Sequence, residues 1–388
     1  MTTLRSNEGR VFLDAASTTP LDERVLDAMR SAFLLPGNAA SVHGAGRAAR
    51  KLLEDARDAI GALLGVPGRS LYFTSGGTES DNWALRALLH TAKPGLKPHL
   101  VVTAIEHSAI LETAADLERS GLADVTRVPP DADGIVQPEA IQEAIQPGTV
   151  LVSVMLVNNE IGAIQPIAAI AEACHARGVP LHTDAVQAPG SASIRLEDLN
   201  ADLMSLSAHK LHGPKGVGLL YARRGLNLQP FMHGGHQERG ARGGTSNLPG
   251  AVGLAAALTF TLNEAPAALA RLAPLAENFT RRLLANPGVN LNGARAPRTP
   301  RIINVTAAGA DGEALLLALD LGGVDASNGS ACSAGTLEAS HVLLALGRSR
   351  DEARASVRFS LPWDVQAEDL TRAASVYAQA LAAARLGV

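Results

Sequence analysis

The 388-residue sequence predicts an α/β protein in which helices cover both faces of a mostly parallel sheet. Short apolar or β-branched runs alternate along the chain with longer segments whose apolar residues recur at i, i+3 and i+4. This alternation is typical of strand–helix–strand units. The composition, 46% hydrophobic and 19% charged, is that of an ordinary folded protein, and the length is sufficient for two domains.

The predicted elements follow one another from residue 47 onward. The first strands are Leu71–Thr74, Leu100–Thr103, Val150–Leu156, Pro180–Thr183, Leu203–Ser207 and Val217–Tyr221. The helices between or before them are Arg47–Leu64, Ser80–Leu89, Ser108–Glu118 and Ile167–Arg177. A long alanine-rich helix comes next, and the pattern then restarts with a strand and two helices: Gly250–Leu284, Ile302–Val305, Gly312–Leu321 and a final helix from Ala367.

The restart after the long helix predicts two domains. We expect a large α/β domain over residues 14–263 and a smaller C-terminal α/β domain over residues 264–388, joined by the N-terminal segment 1–13.

Charge and cysteine content exclude several classes of protein. A formal net charge of -4 gives no electrostatic support for nucleic-acid binding. Two cysteines, Cys174 and Cys332, cannot form a disulfide framework, and neither belongs to a Cys-x-x-Cys metal pair. Residues 1–10 lack the apolar run of a secretory signal, and no stretch approaches the ~20 apolar residues of a membrane helix. We therefore expect a soluble, cytoplasmic protein that binds neither nucleic acid nor membrane.

Lys210 follows the apolar strand Leu203–Ser207 and precedes a Gly-Pro turn. Ligands of open α/β sheets bind outside the carboxyl ends of the strands, so this lysine is well placed to bind the aldehyde of a cofactor. The other lysines lie on an amphipathic helix, in a Pro-Gly loop or after the turn. Taken alone, Lys210 is more simply a strand-end lysine that reaches solvent.

Asp184 lies at the C-terminal end of the predicted strand Pro180–Thr183, directly after Thr183, and Gln187 follows three residues later. A carboxylate paired with a pyridine nitrogen keeps the ring protonated and electron-withdrawing, and Gln187 could bond the oxygen on such a ring. An aspartate that caps a helix explains the same pattern equally well.

A glycine-rich turn, Ser75-Gly76-Gly77-Thr78, follows the strand Leu71–Thr74 and opens a helix. Its free backbone N–H groups suit a phosphate, although many such turns are only helix caps. Neither a Walker loop nor a GxGxxG motif is present, which argues against a dehydrogenase. Three strand ends thus point to one ligand with an aldehyde, a pyridine ring and a phosphate.

Cys332 lies in a small, polar run, Asn-Gly-Ser-Ala-Cys-Ser-Ala-Gly, that is typical of a mobile loop. A free thiol with a pKa of ~8.5 is only slightly ionised at neutral pH and needs a proton acceptor or a positive neighbour before it attacks. Cys174 sits among apolar residues of a helix and is expected to be a core residue.

Segments spread over nearly the whole chain resemble the cysteine desulfurases of the NifS/IscS type, within the class V aminotransferase family. They are FLDAASTTPLD, GNAASVH, TSGGTESDN, EHSAIL, VSVMLVNNEIGAIQPI, HTDAVQAPG, SLSAHKLHGPKG, GGHQERGARGGT, NGSACSAGTLEASHVLLALG and SVRFSL. The resemblance implies the pyridoxal-phosphate-dependent transferase fold of type I, with a mostly parallel seven-stranded sheet in the large domain.

The resemblance also implies a reaction and a set of site residues. L-cysteine would become L-alanine while Cys332 accepts the sulfur as a persulfide, with Lys210 and His107 completing the catalytic set. Asn38 and Arg358 would bind the substrate carboxylate. The residues that would bind pyridoxal phosphate are Gly77, Thr78, His107, Asn159, Asp184, Gln187, Ser207, His209, Lys210 and, from the partner subunit of a homodimer, Thr245.

Several alternatives remain at this point. A selenocysteine lyase or another class V aminotransferase would share the fold, although the Cys332 loop favours sulfur transfer. A pure scaffold for iron–sulfur assembly would not need Lys210, Asp184 and His107. The sulfur acceptor is expected to be a protein such as an iron–sulfur scaffold, and Cys332 could contact a transferred cluster.

No resident metal site is expected. His212, His233 and His236 lie in glycine-rich turns without ligand spacing or an accompanying carboxylate. His43 lies near Asn38 and is a weak pocket candidate. The remaining histidines are expected to be structural or on the surface: His90, His99, His175, His182 and His341.

Overall fold

The computed structural model describes residues 9–329 and 338–386 of the chain. In these two ranges the strands are β1 (Val11–Phe12), β2 (Leu71–Thr74), β3 (His99–Thr103), β4 (Asp124–Val128), β5 (Thr149–Ser153), β6 (Leu181–Asp184), β7 (Leu203–Ser207), β8 (Gly218–Ala222), β9 (Val289–Leu291), β10 (Ile302–Ala307), β11 (Val324–Asp325) and β12 (Ser356–Ser360). The helices are α1 (Glu23–Leu34), α2 (Gly44–Leu64), α3 (Gly77–Ala87), α4 (Ser108–Arg119), α5 (Pro138–Ala144), α6 (Ile167–His175), α7 (Leu196–Leu199), α8 (Leu248–Leu284), α9 (Gly312–Leu321), α10 (His341–Ala345), α11 (Arg350–Arg354) and α12 (Ala367–Leu386).

Seven strands form one sheet in the order β2-β8-β7-β6-β5-β3-β4. The strands from β4 to β7 in that order pair in parallel, and β8 is antiparallel to both of its neighbours, β7 and β2. The prediction of a mostly parallel seven-stranded sheet is confirmed. Because β2 runs in the same direction as the parallel strands, their carboxyl ends meet at one edge of the sheet, where ligands of such sheets bind.

The sequence pattern identifies the buried strands of this sheet and misses an exposed one. The predicted strands Leu71–Thr74 and Leu203–Ser207 coincide with β2 and β7, and the predicted strand from Val150 is too long, because β5 ends at Ser153. β4 is not predicted. Its sequence, DVTRV, is mostly accessible because the strand lies at the edge of the sheet and has no continuous apolar run.

Two large hydrophobic clusters share the helix α8. Leu254 and Leu258 belong to the cluster beneath the seven-stranded sheet, whereas Leu272 and Phe279 belong to the cluster of the C-terminal part. By length and composition α8 could cross a membrane, but it packs against α1, α2 and α12 as a core helix does. Packing on two cores therefore accounts for its apolar residues.

The C-terminal part contains the antiparallel sheet β12-β10-β9, and the N-terminal strand β1 pairs in parallel with β11 beside it. Leu13 is fully buried in the hydrophobic cluster of this part. Asp14 then forms a β-bridge with Ser360 at the end of β12. The N-terminal segment thus pairs with strands of the C-terminal part. Directly after this pairing, the segment reaches the edge of the large sheet.

A buried ion pair ties the segment before α8 to α2 and β2. Arg57 Nη1 and Nη2 donate to the two carboxylate oxygens of Glu238 at 2.8 and 3.0 Å, and Glu238 also accepts from the Phe73 N–H at 3.1 Å. Glu238 and its neighbour Arg239 have φ angles of 44° and 60°, in the left-handed region that non-glycine residues rarely adopt. The pair therefore holds a strained backbone segment in place.

We expect Glu238→Gln to lower the free energy of unfolding of the protein by about 3 kcal/mol, because it leaves the buried Arg57 charge without its buried carboxylate. The amide keeps the size of the side chain, so lost packing does not contribute. Urea unfolding monitored by circular dichroism would measure the change. Glu54→Gln is the matched control, since Glu54 contacts the same guanidinium from a half-exposed position. Equal losses in both variants would contradict the prediction.

Candidate active site

A cavity of about 730 Å³ lies at the carboxyl edge of the large sheet. Its walls come from the segments that follow β2, β3, β5, β6 and β7, from the N-terminal segment and from β12. The cavity brings together these residues of the predicted site: Gly77, Thr78, His107, Asn159, Asp184, Gln187, Ser207, His209, Lys210 and Arg358.

Lys210 ends a short 3-10 turn that directly follows β7. Its Nζ donates to the backbone carbonyls of Ala16 and Ser17 at 2.6 and 2.7 Å. Burial lowers the pKa of Lys210 to about 8, and the nearby positive charge of Arg358 acts in the same direction. About a tenth of this amine is therefore uncharged at neutral pH and able to attack a carbonyl carbon. The lysine does not simply reach into solvent.

Asp184 is the last residue of β6 and is buried. Its Oδ1 accepts from the Val186 N–H at 2.9 Å, in a turn rather than at the start of a helix. Burial raises the pKa of Asp184, while His107, the Val186 N–H and Lys210 oppose the shift. A cationic ligand group in the cavity would favour the ionised carboxylate. Gln187 Nε2, on the same turn, donates to the Ala16 carbonyl at 2.8 Å.

The glycine-rich turn after β2 forms a second, smaller cavity of about 360 Å³ at the start of α3. A Cβ atom on Gly77 would lie 2.8 Å from Val186 Cγ2, so only glycine leaves this space open. The polar side chains that line the smaller cavity include Thr78, Ser207, His209 and Lys215. Backbone N–H groups, hydroxyls and a lysine at a helix start are the donors that a phosphate group requires.

Glu79 would oppose an anion at this helix start, but its charge is compensated. Arg242 Nε and Nη2 donate to the two Glu79 oxygens at 2.8 and 3.0 Å, and the Ser75 N–H donates to Glu79 Oε2 at 2.8 Å. Although burial opposes the change, these bonds lower the pKa of Glu79 and keep it ionised and paired. The bidentate pair therefore neutralises the negative charge beside the glycine-rich turn. It also links that turn to the segment before α8.

His107 precedes α4 and caps it. Its Nδ1 accepts from the Ala109 N–H at 3.1 Å, so the neutral ring carries its hydrogen on Nε2. Burial lowers the pKa of His107 below its ordinary value, although Asp184 opposes the shift. The ring therefore stands in the cavity as a neutral imidazole that donates from Nε2.

Arg358 projects from β12 and is almost fully buried. Its Nη1 donates to the Asn159 carbonyl at 3.0 Å, and its Nη2 donates to Asp14 Oδ1 and Ser17 Oγ, both at 2.8 Å. Within the described ranges its Nε has no hydrogen-bond partner although it is buried. The guanidinium thus retains a donor for a carboxylate that enters the cavity.

We expect Arg358→Lys to raise the KM for a substrate that carries a carboxylate about 10- to 100-fold and to change kcat less, because the charge persists while the planar fork of donors is lost. Steady-state kinetics over a wide substrate range would separate the two constants. Arg298→Lys is a suitable control, because Arg298 is a partly buried arginine that does not line the cavity. A fall confined to kcat would contradict a role in carboxylate binding.

The cavity does not contain all of the predicted site residues. Asn38 lies in the loop before α2, where its Oδ1 accepts from the Ala40 N–H, and Thr245 lies in the turn before α8; neither lines the cavity. Cys332 lies outside the described residues. Gly329 and Glu338, the described residues that flank that gap, both line the cavity.

Several titratable residues of the cavity lining were not predicted. His341, expected to be structural or on the surface, lines the cavity, as do the buried carboxyls of Asp81 and Glu160. Asp81 lies one turn inside α3, and Glu160 lies in the loop after β5, where nothing in the local pattern distinguishes them. Only the packing of distant segments brings them to this edge of the sheet.

The histidines other than His107, His209 and His341 fall outside the cavity lining. His43 caps α2, and His182 is buried between Ser153 and Ser205, with burial lowering its pKa to about 3. Within residues 9–329 and 338–386, no group of three or more potential ligands could hold a metal ion.

Comparison with known proteins identifies relatives of this chain. A family profile described as Aminotransferase class-V matches residues 11–372. The chain is 41% identical over 363 residues to the cysteine desulfurase IscS of Dictyoglomus turgidum, covering 93% of this chain and 91% of that protein. It is also 41% identical over 372 residues to the cysteine desulfurase IscS of Methanosarcina thermophila, covering 94% and 90%.

Solved structures agree with the sequence matches. A NifS-like protein superposes with a TM-score of 0.88 at 35% identity and covers 96% of this chain and 99% of its own. A structure described as SspA in complex with cysteine superposes with a TM-score of 0.80 at 34% identity, covering 90% and 98%.

Proposed function

Because the chain belongs to the aminotransferase class-V family, we infer that its cavity binds pyridoxal phosphate and acts on an amino acid. About 40% identity over more than nine-tenths of the chain relates it to cysteine desulfurases. The protein is a pyridoxal-phosphate-dependent cysteine desulfurase, with L-cysteine as its substrate. A selenocysteine lyase or an ordinary aminotransferase is not favoured by these relatives.

The observation that carries the site assignment is the convergence of three strand ends on one cavity. Lys210 follows β7, Asp184 ends β6, and the glycine-rich turn follows β2. These positions supply an amine, a buried acid and a set of anion donors, which fit an aldehyde, a pyridine nitrogen and a phosphate. Bound pyridoxal phosphate supplies an electron-withdrawing ring that labilises bonds at the substrate α-carbon.

Each group of residues then has a distinct task. Lys210 would hold the cofactor covalently, and Asp184 would pair with its ring nitrogen. Gln187 would bind the ring oxygen, and Arg358 would bind the substrate carboxylate. The phosphate would be held by Gly77, Thr78, Ser207 and His209, and the rest of the cofactor by His107 and Asn159.

Cys332 is proposed as the sulfur acceptor. Cys332 is the third residue after Gly329, which lines the cavity, and three residues span at most about 11 Å, so the chain length supports this assignment. The thiolate attacks the substrate sulfur, and the bond between sulfur and the β-carbon breaks. A Cys332 persulfide forms, and the electron pair stays with the three-carbon product, which takes up a proton and leaves as alanine.

The finer functional assignments are also proposals. We place the enzyme in the cytoplasm as a homodimer in which Thr245 completes the phosphate site of the partner subunit. The position of Thr245 outside its own cavity lining is compatible with this arrangement. The persulfide sulfur would pass to an acceptor protein such as an iron–sulfur scaffold, or into another sulfur-transfer pathway. Analytical ultracentrifugation of the holoenzyme tests the dimer, and a monomer would contradict it.

The experiment that tests the function is the product balance from L-cysteine in the presence of a thiol reductant. Equal amounts of alanine and sulfide are expected. Transfer of the amino group to a 2-oxo acid without sulfide release would instead identify an aminotransferase and overturn the proposed function. L-serine, which lacks the sulfur, serves as the substrate control.

A further inference from the structure

Lys215 lies at the same edge of the large sheet as the glycine-rich turn. It belongs to the segment between Lys210 and β8, and β8 begins at Gly218. Because β8 runs antiparallel to β2 and β7, its amino end meets the carboxyl ends of those strands, and Gly218 pairs with both Thr74 and Ser207. The fold therefore brings Lys215 to the smaller cavity of about 360 Å³, which it lines.

The backbone that follows Lys215 packs directly on the glycine-rich turn. A Cβ atom on Gly218 would lie 2.6 Å from Gly76 Cα, so the two backbones approach more closely than any larger residue would allow. The Ala208 N–H donates to the Val217 carbonyl at 3.2 Å, which ties the same segment to the end of β7. The position of the Lys215 backbone relative to the cavity is therefore set by its neighbours on both strands.

The other ionisable groups that line the smaller cavity carry no net charge. Glu79 is paired with Arg242 through two hydrogen bonds. Burial lowers the pKa of His209 to about 4, and the charges of Lys210 and Lys215 act in the same direction, so the ring is neutral at neutral pH. No ion pair among residues 9–329 and 338–386 includes Lys215. Lys215 is thus the uncompensated positive charge of this cavity.

Ser207 provides an independent indication of a ligand in the same place. Its side chain lines both cavities, and the residue is only 2% exposed. None of the residues that the structure describes forms a hydrogen bond with its hydroxyl. Buried hydroxyls in proteins nearly always have a hydrogen-bond partner, so this one is available to a polar group that enters the cavity.

We propose that Lys215 binds the phosphate group of pyridoxal phosphate and compensates its charge, an inference that rests on the cofactor part of the proposed function. A phosphate ester carries about -1.5 to -2 charges at neutral pH. The hydroxyls and the neutral His209 ring can orient its oxygens, but they cannot balance that charge. The amino end of α3 contributes the equivalent of only about half a positive charge. An ammonium group supplies the remainder.

Lys215→Gln tests the proposal through cofactor binding. We expect the affinity of the apoprotein for pyridoxal phosphate to fall about 5- to 10-fold, because a charge-assisted contact at an exposed side chain is lost. The affinity for pyridoxal, which lacks the phosphate, should change less than about twofold. Both ligands carry the aldehyde and the ring, so the contribution of Lys210 and Asp184 is common to the two titrations. Absorption spectroscopy of the apoprotein would measure both affinities.

Inorganic phosphate is a second probe of the same cavity. It should compete with pyridoxal phosphate for the wild-type apoprotein, and it should compete more weakly in Lys215→Gln. Lys215→Arg keeps the positive charge and should retain most of the affinity for pyridoxal phosphate. Lys51→Gln is the matched control, because it removes the same charge from a lysine that pairs with Asp55 and lines neither cavity.

The outcomes separate the role of Lys215 from the proposed function. Unchanged affinity of Lys215→Gln for pyridoxal phosphate, or an equal loss for pyridoxal phosphate and pyridoxal, would overturn the inference while leaving the desulfurase intact. If the wild type binds pyridoxal phosphate but releases no alanine and sulfide from L-cysteine, the desulfurase assignment fails and the binding comparison still decides the role of Lys215. If the wild-type apoprotein does not bind pyridoxal phosphate, both fail.

Discussion

Replacing Lys210 with alanine should lower kcat for L-cysteine by at least about a thousandfold, because it removes the nucleophile that holds the cofactor. The variant should still bind pyridoxal phosphate, since the glycine-rich turn at the start of α3 and Asp184 remain. After borohydride reduction, mass spectrometry should find the cofactor on the Lys210 peptide of the wild type and on no peptide of the variant.

The same lysine predicts a dependence on pH. Only the uncharged amine attacks an aldehyde, and burial lowers the pKa of Lys210 to about 8. The rate at which the apoprotein attaches the cofactor should therefore rise as the pH increases through about 8 and level off above it. Lys51→Ala is the control, since Lys51 pairs with Asp55 on the surface of α2. Cofactor found on Lys215 or Lys51 would refute the assignment of Lys210.

Replacing Cys332 with alanine should reduce the release of alanine and sulfide from L-cysteine to below about one per cent of the wild-type rate, because the attacking sulfur is lost. The cofactor spectrum should not change, since Cys332 is not assigned to cofactor binding. Mass spectrometry of wild-type enzyme incubated with L-cysteine should also detect additional sulfur on the peptide that contains Cys332.

Cys174 provides the matched control for that experiment. It is buried in α6, and burial raises the pKa of its thiol to about 12, so it is a poor nucleophile. Cys174→Ala should therefore keep nearly full activity. Full turnover by Cys332→Ala would show that the mechanism proposed for sulfur transfer is wrong.

The parts of the molecule that could be predicted from the sequence are those with local signals. β6 and β7 are short buried strands that alternate with helical patterns, so their ends could be located, and with them Asp184 and Lys210. The glycine-rich turn after β2 could also be predicted, because its glycines are visible in the sequence and mark a place where the backbone approaches a neighbouring segment closely. β4 lacks such a signal because it lies at the edge of the sheet.

The parts that could not be predicted depend on contacts between distant segments. His341 enters the cavity because its ring reaches the Glu106 carbonyl, 235 residues away along the chain. Asp81 and Glu160 belong to buried polar surroundings that no periodic pattern encodes. The partners of Lys210, the carbonyls of Ala16 and Ser17, are likewise set by the path of the N-terminal segment.

That path gives the N-terminal segment a thermodynamic role. Residues 14–17 accept hydrogen bonds from Lys210 and Gln187, and they also accept hydrogen bonds from Arg358. A ligand that draws Lys210 away from the carbonyls of Ala16 and Ser17 breaks two of these hydrogen bonds. It should therefore change the free energy of the same segment in its bonds to Arg358. By reciprocity, two changes in affinity should be equal. If acetate bound at Arg358 changes the affinity of the apoprotein for pyridoxal phosphate by some factor, pyridoxal phosphate should change the affinity for acetate by the same factor.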